Sequence, residues 1–245
     1  MSEKVIGLIP ARMESTRFPG KAIYPINGYP MIYWVHNQAK KCELIDKLYV
    51  VTPNEEICEK CDEYDIPYIL DKSKVSGGAQ AIACVAENLD GDIYLNVQGD
   101  EPLLEPAALS QIIEEMITNK DEEYVGLYSL IKDEKEFRDR NVVKTVLDAT
   151  GHAMYFSRSP IPEKFEYGRA LRVMGLYGYR PEMLKEFITA EKTELESLES
   201  GIEMIRMLEK GHRIKFVQTE YQSIGVDLPE HIKEVEKIMQ KKFNR

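Results

Sequence analysis

The residues best equipped for chemistry lie in one loop near the N-terminus. From Ile9 to Lys21 the chain reads IPARMESTRFPGK, which gathers Arg12, Arg17 and Lys21 with Ser15, Thr16 and Gly20. Forked guanidinium donors, an ammonium and the backbone N–H groups of a glycine-bearing loop together suit a triphosphate. A merely solvated basic loop is the plainer alternative, and three cations crowded into one loop of an acidic chain weigh against it. Two acids stand at other element ends. Asn96-Val97-Gln98-Gly99-Asp100-Glu101-Pro102 follows a buried apolar run. Asp100 there suits magnesium, a hard cation that keeps several waters and shares phosphate oxygens. Gly-Asp and Glu-Pro are also ordinary turn dipeptides, so this segment by itself fits a plain turn as well. Gly225-Val226-Asp227-Leu228-Pro229-Glu230 puts Asp227 ahead of the last helical pattern. Asp227 fits either a helix cap or a second magnesium ligand.

The elements that must position these loops alternate through the first half of the chain. Val5–Ile9, Leu48–Thr52, Tyr68–Leu70 and Asp92–Val97 read as strands, each a short apolar run. Helical patterns cover Met31–Lys41, Glu55–Tyr64, Ala79–Asn88 and Glu105–Thr118 between and after them. Such alternation implies βαβ units and a mostly parallel sheet. In an open sheet of that kind ligands bind beyond the carboxyl ends of the strands, where the basic loop and Asp100 both fall. The second half is richer in strands, at Tyr124–Ile131, Val142–Leu147, Ala153–Ser157, Val173–Tyr179 and Ile214–Thr219. Helices are predicted over Pro181–Ile188, Leu195–Leu208 and Pro229–Phe243, the last with an apolar stripe at Ile232, Val235, Ile238 and Met239.

At 245 residues, with no repeat or linker, the chain reads as a single domain spanning 1–245. The net charge of −10 argues against a nucleic-acid partner, because phosphate neutralisation needs a basic surface. The N-terminus is too polar for a signal peptide, and no run approaches a membrane span, so the expected location is the cytoplasm. Cys42, Cys58, Cys61 and Cys84 read as ordinary thiols, since Cys58 and Cys61 lie inside a helical pattern instead of at a strand-to-helix turn. The patterns of a P-loop, a dinucleotide-binding turn and a nucleophile elbow are all missing. His36, His152, His212 and His231 fall outside the three loops and read as structural or exposed.

Taken together, IPARMESTRFPGK, ING-x-PMI, NVQGDEP, YFSR and GVDLPE resemble the CMP-3-deoxy-manno-octulosonate (CMP-KDO) synthetases, from the first strand to the last helix. The resemblance implies a Rossmann-like, three-layer nucleotidyltransferase fold of the GT-A-like kind. It adds a mostly parallel central sheet and a smaller β-rich acceptor and dimerisation part. It further implies CTP as donor, an acidic sugar as acceptor, magnesium as cofactor and a homodimer. Carried over by position, Arg12, Ser15, Arg17 and Lys21 hold the phosphates, with Arg17 and Lys21 on the β- and γ-groups. Asp100 and Asp227 hold magnesium. Pro10, Ala11, Ser76 and Gln98 lie beside the nucleoside, and Gln98, Arg158, Tyr177 and Glu203 beside the acceptor.

The chain departs from that family mainly on the acceptor side. Ser-Gly-Thr-Asp/Glu-Arg is here Ser76-Gly77-Gly78-Ala79-Gln80, and Thr-Asp after the second strand is Thr52-Pro53. A family histidine is replaced by Val173, and a glutamine by Met204. Apolar groups cannot pair with sugar hydroxyls, so these changes admit a different ulosonic acid or a phosphonate as acceptor. A nucleotide-sensing module is the non-enzymatic alternative, and it has no need of two separated magnesium acids.

Overall fold

The computed structural model describes residues 3–73, 77–222 and 224–243, apart from the side chains of 242 and 243. Its frame is β1 (Val5–Pro10), a six-residue strand with no polar side chain. Successive side chains of a strand point to opposite faces. Accordingly Ile6 and Leu8 enter one apolar cluster while Val5 and Ile9 enter the other. β6 (Ile93–Asn96) lies parallel beside it, with Val5 opposite Ile93 and Leu8 opposite Asn96. β4 (Lys47–Thr52) and then β5 (Tyr68–Leu70) extend the sheet in parallel on the other side of β1.

The chain thus moves outward from β1 to β5 and returns to the opposite flank of β1 as β6. This reversal is the topological switch point at which open α/β sheets leave a crevice. Beyond β6 the sheet continues through β10 (Leu171–Tyr179), β7 (Tyr124–Leu130) and β11 (Lys215–Gln218). β10 alone runs against its neighbours on this path, because both its pairings, to β6 and to β7, are antiparallel. After the short α5 (Glu134–Arg138), β8 (Lys144–Leu147) and β9 (Ala153–Ser157) form an antiparallel extension on β10. Mostly parallel sheet and β-rich second half both appear as the sequence pattern implies.

Helices cover both faces. One face packs on α1 (Met31–Ala39), α2 (Glu55–Glu63) and α4 (Pro106–Thr118), and the other on α3 (Gly78–Ala86) and α6 (Pro181–Thr189). A third cluster sits at the carboxyl edge of the sheet. There α9 (Pro229–Phe243) lays Ile232, Val235 and Met239 against Phe18, Leu103 and Val226. Those three residues adjoin Arg17, the Asp100 segment and Asp227, so one small apolar core gathers all three loops. The cysteines are unbridged, and burial pushes the Cys61 thiol up to about 12. Burial likewise lowers His36, to about 4.

Two local features differ from the sequence expectation. Asn27 and Gly28, both at positive φ, turn a hairpin between β2 (Pro25–Ile26) and β3 (Tyr29–Pro30). The helix expected over Leu195–Leu208 is two, α7 (Glu194–Leu198) and α8 (Met204–Glu209). Ser200 at φ 55° and Gly201 at φ 77° lie in the left-handed region and break the helix between them. Arg206 closes the break by donating to both oxygens of Glu196, at 2.6 and 2.7 Å, and to the carbonyl of Ala190. Both side chains of that pair are buried.

Arg206→Met leaves the Glu196 carboxylate buried without its counter-charge. It is expected to lower the unfolding free energy by about 3–5 kcal/mol, read from urea denaturation. The double replacement Glu196→Met with Arg206→Met should recover much of that loss, because no buried charge is then left unpaired.

Candidate active site

The basic loop leaves the end of β1 and is tied down by its own backbone. Ala11 N–H donates to the carbonyl of Val51, and Gly20 N–H to that of Met13. Asn54, just past β4, accepts from Met13 N–H and donates to Glu14. The loop therefore keeps one shape while Arg12 and Arg17 stay exposed. Gly99 brings the β6 loop against this one: a Cβ built there would lie 2.5 Å from the carbonyl oxygen of Pro10. Only glycine permits that approach.

Asp100 and Asp227 come from opposite halves of the chain and meet at one cation. Lys21 Nζ lies 2.6 Å from Asp100 Oδ2 and 3.5 Å from Asp227 Oδ1. Arg17 Nη2 lies 2.9 Å from the same Asp227 oxygen. The backbones are joined as well, since Val226 N–H donates to the carbonyl of Asp100 at 2.8 Å. His231, one turn into α9, accepts from Asp227 N–H through Nδ1 at 3.2 Å. This histidine, read from the sequence as structural or exposed, thus supports one of the two acids.

Among the described residues no group of three His, Cys, Asp or Glu side chains forms a ready-made metal cage. A pair of carboxylates converging on one cation suits magnesium instead, which binds through one or two carboxylates and takes its remaining ligands from phosphate and water.

Two cavities open on this pair. The larger, about 910 Å³, is lined by Pro10, Ala11, Arg12, Ser15, Arg17, Lys21, Gln98, Asp100 and Asp227. The smaller, about 520 Å³, is lined by Gln98, Asp100, Arg158, Tyr177, Glu203 and Asp227, together with Asn96, Tyr124, Tyr179 and Arg172. Asp100, Asp227, Gln98 and Gly78 belong to both. Every site residue named from the sequence lines one or both cavities, except Ser76, which lies outside the described residues. Gln98 is fixed by donating from Nε2 to the carbonyl of Gly175 at 2.8 Å.

The smaller cavity joins charge to buried phenols. Arg158 is held at its rim by donating from Nη1 to the carbonyls of Arg140 and Asn141. Glu203, the residue that caps the start of α8, packs against the first turn of α3, where one oxygen accepts from Ala79 N–H at 3.5 Å and the other is buried without a partner. Burial pushes its carboxyl above the usual range, against the lowering effect of Ala79 N–H and Arg206. Asn96 Oδ1 is a second buried acceptor without a partner. Burial also raises Tyr124 and Tyr177 well above ordinary phenols, so both stay protonated donors. Val173 and Met204, the two apolar departures, line this cavity and not the larger one.

Its outer wall is held by Lys144, which is fully buried. Its ammonium donates to the carbonyls of Asp139, Val142 and Arg158 at 2.7, 2.8 and 2.7 Å. All three N–H groups are used on backbone, which offsets the desolvation that lowers its pKa.

A family model described as cytidylyltransferase matches residues 6–223. The chain belongs to the cytidylyltransferase family. Relatives named 3-deoxy-manno-octulosonate cytidylyltransferase include those of Geobacter metallireducens, 39% identical, and Trichlorobacter lovleyi, 38% identical. Each comparison covers 96% of this chain and 98% of the relative. Among solved structures, a CMP:2-keto-3-deoxy-manno-octonic acid synthetase complexed with CTP superposes with TM-score 0.91. It is 28% identical, with 98% of this chain and all of that one covered. A putative glucose-1-phosphate thymidylyltransferase from Bacillus anthracis shares the fold, at TM-score 0.68, 17% identity and coverage of 96% and 94%. No described helix of this cytidylyltransferase is long and apolar enough to cross a membrane.

Sequence reasoning missed Asn96, Tyr124, Tyr179, Arg172 and Lys144. A polar residue closing the buried run IYLN, and tyrosines two apart in a strand, were the available signals for Asn96 and Tyr179. Nothing local distinguishes a lysine destined for burial.

Gly99→Ala drives a carbon into the Pro10 carbonyl. It is expected to lower stability by about 1–3 kcal/mol, read from the urea midpoint. Gly225→Ala, where nothing lies within 4 Å of the added carbon, serves as the control and should shift stability by less than about 0.5 kcal/mol.

Proposed function

We propose that this cytidylyltransferase transfers CMP from CTP to 3-deoxy-manno-octulosonate and releases pyrophosphate. The observation that carries the proposal is the meeting of two cavities at one carboxylate pair. A transfer enzyme needs its two substrates to approach from different sides of the groups that handle the charge. The names of the relatives and the CTP in the similar solved structure support the choice of substrates.

In this reading the larger cavity takes CTP. Arg12, Arg17 and Lys21 face the triphosphate, and Pro10 and Ala11 border the nucleoside. The smaller cavity takes the sugar acid. Arg158 offers fixed positive charge to its carboxylate, while Asn96, Glu203 and the tyrosines meet its hydroxyls. Val173 and Met204 leave part of the wall apolar, so polar recognition falls on fewer groups than in the family pattern.

An acceptor hydroxyl then attacks the α-phosphorus in line. The new O–P bond forms as the bond to the β-phosphate oxygen breaks, and the hydroxyl proton passes to solvent. Arg17 and Lys21 stabilise the charge that gathers on the departing pyrophosphate. Asp100 and Asp227 would hold magnesium, which supplies charge neutralisation at the α-phosphate and lowers the pKa of the attacking hydroxyl. The rest is positioning, and no side chain is required as general base.

The experiment is to incubate the protein with CTP, magnesium and a panel of sugar acids and phosphonates. Formation of CMP-octulosonate and pyrophosphate is expected, at kcat/KM on the order of 10⁴ M⁻¹s⁻¹ or more. Turnover of another ulosonic acid or a phosphonate in its place would overturn the acceptor assignment. CTP binding without pyrophosphate release from any acid would favour the sensing module. Asp100→Ala and Asp227→Ala should each lower kcat by roughly three orders of magnitude, equivalent to about 4 kcal/mol of transition-state stabilisation.

A further inference from the structure

Lys21 occupies the one point at which both carboxylates of the site converge. Its ammonium contacts Asp100 at 2.6 Å, the Val226 carbonyl at 3.1 Å and Asp227 at 3.5 Å. The side chain is only 17% exposed, and that of Asp100 27%, so solvent screens this pair far less than a surface ion pair. Arg17 is a poorer partner for the acids. It is 53% exposed, and among the described residues its ion pair is with Asp227 alone.

A divalent cation held by Asp100 and Asp227 would need the same oxygens. Two cations cannot share that space, because like charges within a few ångströms repel strongly in a partly buried site.

The carboxylate pair does not depend on Lys21 for its spacing. The Val226 N–H bond to the Asp100 carbonyl joins the two loops through backbone, and Val226 is sealed beside Phe18, Leu103 and Ile232. Lys21 is equally independent of the acids at its own backbone. It begins a 3₁₀ turn after Gly20, with its N–H on the Phe18 carbonyl and buried Ala22 next in chain. The ammonium can therefore leave by side-chain rotation alone. The larger cavity, which Lys21 also lines, gives it somewhere to go.

We propose that Lys21 is the internal counter-cation of the Asp100–Asp227 pair, competing with the divalent metal until a triphosphate draws it away. The inference rests on the function proposed above. Under it, the nucleotide-free protein disfavours free magnesium, and metal and CTP enter together, each raising the affinity for the other as linkage requires. Lys21 then has two successive positions: on the carboxylates before CTP arrives, and on the phosphates afterwards.

The test reads metal affinity with neither nucleotide nor acceptor present. Mn²⁺ alone is titrated into the full-length wild-type and Lys21→Met proteins, and free Mn²⁺ is followed by electron paramagnetic resonance. Lys21→Met should bind Mn²⁺ at least about tenfold more tightly than wild type, and adding Asp100→Ala to that background should abolish the gain. Lys21→Gln, which keeps a neutral donor for Asp100 should the methionine variant fold poorly, is expected to show the same gain. Equal or weaker Mn²⁺ binding in the folded variants, or a gain that survives loss of Asp100, would overturn the proposal. Either result leaves product formation from CTP by the wild-type protein, which tests the proposed function, to be read independently.

Discussion

Two carboxylates from distant parts of the chain must stand side by side, although their charges repel. The rest of the structure can be read as the means of holding them there. Asp100 is carried on the loop after β6, next to β1, and Asp227 on the turn before α9. The Val226–Asp100 backbone bond sets the spacing of the pair, and the Lys21 ammonium neutralises its charge. The β1–β6 switch point, the Gly99 approach to Pro10 and the small core under α9 then serve one purpose. They bring a cation-bearing loop and two acid-bearing loops to the same edge of the sheet.

Charge neutralisation inside the fold recurs beyond the carboxylate pair. Lys144 binds three carbonyls behind the acceptor wall, and Arg206 holds Glu196 where the chain breaks between α7 and α8. Each buried cation fixes irregular backbone that apolar packing alone would not shape, because a carbonyl withdrawn from water needs a donor. The result is a smaller cavity with Arg158 fixed at its rim and two unpartnered acceptors, on Asn96 and Glu203, directed into the fold beside it. Such acceptors are costly without a ligand and favourable with one that donates. Asn96 and Glu203 also line the smaller cavity, so its wall keeps polar groups even though Val173 and Met204 contribute nothing polar.

Much of this was legible in the sequence because the strong signals are local. Val5–Ile9 is apolar throughout, and the strands at Tyr68–Leu70 and Ala153–Ser157 and the last helix carry the bounds read from sequence. The cations of the first loop, and the acids at Asp100 and Asp227, were visible as charges at the ends of apolar runs. What was not legible depends on contacts distant in sequence. Lys144 looks like any exposed strand lysine until Arg158 folds over it, whereas the helix break after α7 was missed although the Ser200-Gly201 dipeptide is a local turn signal. The two roles open to Asp227 could be weighed only once Arg17 and Lys21 were found on its carboxylate. The Asn27-Gly28 hairpin is different, since that dipeptide is a strong turn signal and could have been read.

The central claim is that one divalent cation on Asp100 and Asp227 faces both substrates at once. The most direct measurement replaces magnesium with Mn²⁺ and uses a non-reacting CTP analogue with a methylene bridge between its α- and β-phosphorus. With ¹³C-labelled 3-deoxy-manno-octulosonate bound beside it, paramagnetic relaxation is recorded for the ³¹P and ¹³C nuclei together. The account predicts strong relaxation of both the α-phosphorus and the acceptor carbons nearest the attacking hydroxyl, with both effects lost in Asp100→Ala. Relaxation of the phosphates with the bound acceptor unaffected would contradict it, because the metal would then serve the nucleotide alone and the two cavities would not meet at a shared cation.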